Sequence, residues 1–136
     1  MAITYTNESD LSAAQFADVL QRSTLAKRRP VNDSKRLAGM LQHADVVITA
    51  RNSEGVLVGI SRAVSDFNFC TYLSDLAVDV EYQRQGIGKE LVRKTHEIAG
   101  NHTTLILLAA PAAIEYYPNI GMEQHDSCWM IKGKVL

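Results

Sequence analysis

Between residues 71 and 80 a β-prone stretch, TYLSDLAVDV, runs into a loop with glycines at 86 and 88, and helix-favouring sequence follows at once. Strand, loop and helix in that succession point to an α/β fold. Glycine lets backbone amides approach a ligand closely, and a helix start offers unpaired N–H groups and the positive end of a dipole. Together they make an anion site suited to a phosphate or pyrophosphate, and the Arg84 and Lys89 side chains add charge to it. Two nucleotide signatures fail here. A Walker A loop needs Ser or Thr after Gly-Lys, and Glu90 follows Gly88-Lys89. A dinucleotide fingerprint needs a third glycine where Leu91 stands. The alternative is a plain strand-to-helix turn whose glycines only relieve strain.

The flanking sequence supplies the other elements. Residues 2–6 are β-prone, and the spacing of Ala13, Phe16, Ala17, Val19 and Leu20 predicts a helix over 11–23. Pro30 interrupts it, and Asn32, Asp33 and Ser34 can cap a second helix ending near His43. The period then changes: 46–50 and 56–60 are β-rich runs joined by Asn52-Ser53-Glu54-Gly55, and the second extends to about Val64 before 71–80. This is an antiparallel meander. An amphipathic helix over 89–99 turns Leu91, Val92, Thr95 and Ile98 inward, with Gly100 as its stop. The apolar run 103–109 reads as a strand covered on both faces and parallel to the one before the helix. A short helix over 111–117 and a terminal hairpin of 122–124 with 129–132 complete the expectation.

Composition excludes several classes. The chain has 136 residues, enough for one domain, 1–136, and a core that needs neither metal nor disulfide. With 14 Lys+Arg against 15 Asp+Glu the net charge is -1, without the basic excess of a nucleic-acid binder. The start of the chain lacks a secretory pattern, and no apolar run reaches the roughly 18 residues of a membrane span. A cytoplasmic protein with reduced Cys70 and Cys128 is expected; the four histidines lack metal-ligand spacing, and monomer and homodimer are both open.

Gln83-Arg84-Gln85-Gly86-Ile87-Gly88 resembles the Q/R-x-x-G-x-G/A signature of the GCN5-related N-acetyltransferases, and Leu76-Ala77-Val78 resembles the strand that leads into it. Ala113-Ile114-Glu115-Tyr116-Tyr117-Pro118-Asn119-Ile120-Gly121-Met122 is similar to the family's A-x-x-[FY]-Y-x-x-x-G-[FM] ending. The resemblance implies a mixed, mostly antiparallel sheet flanked by helices and splayed between its fourth and fifth strands. It also implies an acetyl-CoA site in that splay and acetyl transfer to the primary amine of a small acceptor. Backbone groups of Leu76, Ala77 and Val78 would pair with the pantetheine, as a strand would. Amides of Arg84, Gln85, Gly86, Ile87, Gly88 and Lys89 would hold the pyrophosphate. Tyr117 would be the general acid, since a phenol keeps its proton at neutral pH and can give it to a thiolate. The rival is a non-catalytic acyl-CoA binding module.

The base is open. Asp75 lies one residue before the oxyanion-binding stretch and is a candidate base or acceptor contact, with a structural hydrogen bond as its alternative. Arg62 and Asp66 can line the acceptor cleft or sit at a solvated hairpin end. Tyr116 is expected in the core. Lys27-Arg28-Arg29, with Lys35 and Arg36, can attract an anionic substrate or the 3'-phosphate of CoA, or form a solvated connection. Two positions depart from the family: Leu105 stands where protein-acetylating members often carry Glu, and Ala110 where many carry Asn.

Overall fold

The structure is a computed structural model that describes residues 2–133. Its strands are β1 (Thr4–Asn7), β2 (Val46–Arg51), β3 (Leu57–Ser65), β4 (Cys70–Val78) and β5 (Thr104–Leu107). Its α-helices are α1 (Ala13–Ser23), α2 (Ser34–Gln42), α3 (Ile87–Ala99) and α4 (Tyr116–Asn119). The strands form one sheet in chain order; β4 and β5 are parallel and every other pair is antiparallel.

Local chemistry explains the helix ends. Ser12 caps α1 in a reciprocal box with Gln15, and Asp33 caps α2 by accepting from the Arg36 N–H at 3.0 Å. The two faces of the sheet bury different helices. Phe16, Val19 and Leu20 of α1 and Leu37 of α2 pack with Val47, Ile60 and Ala77 on one face. Ile87 and Leu91 of α3 pack with Val46, Ile48, Val58 and Leu73 on the other. Gly59 permits the close approach of α3, because a Cβ there would stand 3.1 Å from Leu91 Cδ1.

The meander forms as the β2, β3 and β4 runs predict. Three expectations need correction. The 103–109 run yields only the short strand Thr104–Leu107, and Ile106 is 56% exposed, because β5 is the sheet's edge and among the described residues no layer covers that face. The helix expected over 111–117 divides into a 3-10 turn at Pro111–Ala113 and the single turn α4, which accepts Pro118 within its first turn. No terminal hairpin forms among the described residues. Segment 122–133 joins no ladder, although β5 presents an edge, and Trp129 is 91% exposed.

Candidate active site

The ladder between β4 and β5 stops at Leu73 and Leu107, while β4 continues to Val78. This fork opens one edge of β4 inside the sheet. On the closed side the Asp79 N–H donates to the Val58 carbonyl at 2.8 Å and Ala77 stands opposite Ile60, so the odd-numbered residues turn their main chain toward β3. On the open side the Ser74 carbonyl accepts from Arg29 at 2.7 Å and the Val78 carbonyl from Gln83 at 3.1 Å. Leu76 lies between them, and the two-residue repeat turns its N–H and C=O into the fork. Ala77 therefore offers its main chain to β3 and not to the opening.

The loop after β4 carries two left-handed residues, Arg84 at φ 64° and Gly86 at φ 82°. A non-glycine residue in that region is uncommon and marks a backbone held to a particular path. Glu90 makes the first bond of α3, to the Gly86 carbonyl at 3.1 Å, which leaves the amides of Ile87, Gly88 and Lys89 ahead of the helical ladder. Gly88 abuts Tyr116: a Cβ would come within 3.2 Å of the ring carbon Cζ and closer to the hydroxyl. Gln85 and the Arg84 and Lys89 side chains are exposed, and among the described residues neither cation has an ion-pair partner. A loop of this shape, with free amides and free cations, fits a pyrophosphate.

Tyr117 is half-buried and meets Tyr116 edge to face, with ring centroids 5.2 Å apart. Burial pushes its hydroxyl above the ordinary 10.0, Tyr116 adds to that shift, and the positive charge of Arg29 opposes it. Tyr116 is exposed rather than in the core, because its ring lies over Gly88 at the mouth of the loop.

Asp75 is fully buried, and both carboxylate oxygens are occupied, one by Arg29 and the other by Arg62. Arg62 also donates to Ser74 Oγ at 2.9 Å, and Arg29 to the Arg28 carbonyl at 2.8 Å. Ser74 is an extra residue in β4, between the partners of Arg62 and Ala63, and such bulges re-aim neighbouring groups. Asp66 is not in this cluster. It accepts the amides of Phe69, Asn68 and Cys70 in the β3–β4 turn, which lower its carboxyl to about 2.

What sequence reasoning missed at Arg29 is its contact with Asp75. Arg29 appears in the sequence as one of three adjacent cations before Pro30, yet it crosses to the central strand. The signal for it was Asp75 itself: a carboxylate in the middle of a buried strand requires a cation.

A family model described as "Acetyltransferase (GNAT) family" matches residues 13–122. The chain belongs to the GNAT acetyltransferase family. The "Histone acetyltransferase TAP1" of Glycine max is 34% identical over 111 residues, covering 71% of this chain and 46% of that protein. The "GCN5-related N-acetyltransferase 2, chloroplastic" of Arabidopsis thaliana is 36% identical over 75 residues, 54% of this chain and 29% of that protein. The chain thus spans less than half the length of these relatives. Among solved structures, the GNAT family acetyltransferase SP0256 of Streptococcus pneumoniae shares the fold with a TM-score of 0.75 and 21% identity, covering 98% of this chain and 100% of that one. As a GNAT domain, the chain has the forked sheet and loop order that its sequence led one to expect. No described helix is long and apolar enough to cross a membrane.

Proposed function

We propose that this GNAT domain transfers the acetyl group of acetyl-CoA to the primary amine of a small acceptor by direct attack. The observation that carries this reading is the open edge of β4 at Leu76, followed directly by the glycine loop and accompanied by a protonated tyrosine. Acetyl-CoA supplies an activated thioester carbonyl. The amides of Ile87, Gly88 and Lys89, with the Arg84 and Lys89 side chains, would hold its pyrophosphate, while Gln85 and Gly86 keep the loop's path. Leu76 and Val78 would pair with the extended pantetheine. An amide of this edge aimed at the thioester oxygen would stabilise the charge that grows there.

Tyr117 would keep its proton through neutral pH and give it to the departing sulfur. For Asp75 we assign a positioning part. Both its oxygens are engaged by guanidinium groups, so it orients Arg29 and Arg62 rather than taking a proton from the amine. That same engagement is what favours the second reading, a module that binds acyl-CoA without turning it over.

We set the reaction in the cytoplasm. Cys70 and Cys128 are both exposed and unbridged, which suits a reducing compartment.

Calorimetry with acetyl-CoA, followed by free-thiol release against an amine panel, tests both readings. Binding with amine-dependent thiol release is expected, and binding without release supports the non-catalytic module. Gly86→Glu, which brings a carboxylate to the pyrophosphate, should abolish binding while far-UV circular dichroism shows the fold intact. Normal acetyl-CoA affinity in that folded variant overturns the site.

A further inference from the structure

Beside the fork, between the 3-10 turn Leu25–Arg28 and the ends of the diverging strands, lies a recess of about 160 Å³. Leu25, Tyr72 and Leu108 supply apolar wall; Arg28, Arg29 and Ser74 supply polar wall. Ligand clefts that enclose drug-sized molecules run to about 300–1,000 Å³, so this one suits something smaller.

Its charge is one-sided. Among the described residues no carboxylate lines the recess. The nearest in the cluster, Asp75, already has one oxygen on Arg29 and the other on Arg62, so three guanidinium groups stand against one carboxylate once Arg28 is counted. Arg28 is exposed, and among the described residues its guanidinium enters no hydrogen bond or ion pair. A site for amines normally offers negative charge, because an amine arrives as an ammonium ion. Here a second or third ammonium on the acceptor would be repelled, whereas a carboxylate on it would find a planar fork that matches its two oxygens.

We infer that the acceptor is a small amine that carries its own carboxylate, an amino acid with an apolar side chain, and that Arg28 holds that carboxylate in the recess beside the fork. The inference rests on the acetyl-transfer reading above and names its substrate class. It also addresses the missing base. Positive charge near an ammonium favours its neutral form, so the cluster itself raises the fraction of free amine available for attack. The proton balance closes without a dedicated carboxylate. The ammonium gives one proton to solvent; the nitrogen then bonds to the acetyl carbon as the carbon–sulfur bond breaks. The second proton leaves the nitrogen and replaces the one that Tyr117 gives to the sulfur.

Matched acceptor pairs test this directly: leucine against 3-methylbutylamine, and phenylalanine against 2-phenylethylamine, with spermidine as a polycation. Free-thiol release should give the carboxylate-bearing member a kcat/KM higher by about tenfold or more, the scale of one charge-assisted hydrogen bond. Arg28→Glu should remove most of that preference, and Arg28→Lys should keep part of it. Calorimetry with N-acetylleucine gives a readout independent of turnover, and its affinity should fall in Arg28→Glu but not in a folded control on α3, across the sheet, Lys94→Glu. Transfer to both members of each pair at equal rates, or a preference unchanged in Arg28→Glu, overturns the carboxylate inference and leaves acetyl transfer standing. Acetyl-CoA binding with no thiol release for any amine overturns both.

Discussion

Asp75, in the middle of β4, shares its carboxylate between Arg62 on the neighbouring strand and Arg29, 46 positions earlier in the chain. The pairing joins the segment between α1 and α2 to the central strand beside the fork. It also keeps a charge in a place without solvent, which is stable only while its partners remain.

Asp75→Asn should therefore cost about 3–5 kcal/mol of folding stability, since it strands the buried Arg62 guanidinium and unpairs the partly exposed Arg29. Urea denaturation of the variant and the parent checks this. A loss below about 1 kcal/mol, the scale of a surface ion pair, would show that water already reaches the cluster.

Tyr117→Phe should lower kcat by about a hundredfold and leave the affinity for acetyl-CoA unchanged, as expected for a proton donor that acts only as the thiolate departs. Because burial holds the Tyr117 hydroxyl above 10.0, the parent's kcat should show no fall from its ionisation until the pH exceeds that value. A pH–rate profile measured with saturating acceptor decides it: a descending limb centred near neutrality that Tyr117→Phe removes would contradict the burial described.

Gly59→Val should destabilise the fold by about 1–3 kcal/mol through overpacking, because the first added carbon already lies 3.1 Å from Leu91 and 3.3 Å from the Ala77 carbonyl. Thermal unfolding reports that loss. Since the strain pushes α3 outward, acetyl-CoA affinity should fall in the same variant, although position 59 touches no part of the glycine loop.

Glu8 lies below the ordinary carboxyl value of 4.5, chiefly through its hydrogen bond to Arg51, which donates at 2.6 Å. The folded protein then binds fewer protons at Glu8 than the unfolded chain does. Stability from this group is complete above pH 4.5 and is lost as the pH falls through the lower, folded value. Glu8→Gln should flatten the acid side of the stability profile between those limits; an unchanged slope would assign acid unfolding to other carboxyls.

Much of the fold is legible in period and punctuation. The β2–β4 meander follows from strand-length apolar runs broken by Asn52–Gly55 and Asp66–Phe69, and the anion loop follows from two glycines at a helix start. Boundaries moved by a residue or two: β4 ends at Val78 because the Asp79 carboxylate caps the turn Val80–Tyr82, accepting from the Glu81 N–H at 2.9 Å. What the chain could not disclose alone depends on distant partners. Thr103–Ala109 is apolar on both faces, yet only the sheet order decides that β5 is an edge. Trp129, Met130 and Ile131 look like a strand, but they pair with neither edge of the sheet and are exposed. Arg29 reads as one of several surface cations until β4 carries Asp75 to it. Position along the chain says little about a contact that spans two layers.

The fork has a consequence for the protein in isolation. A row of unpaired main-chain groups is an invitation to intermolecular strand pairing, the first step of many aggregates. In this domain that row is recessed between two strands instead of lining the rim, and two of its carbonyls are stoppered, Ser74 by Arg29 and Val78 by Gln83. The adhesive stretch shrinks to the neighbourhood of Leu76. A ligand one strand wide can still enter there, while another sheet cannot.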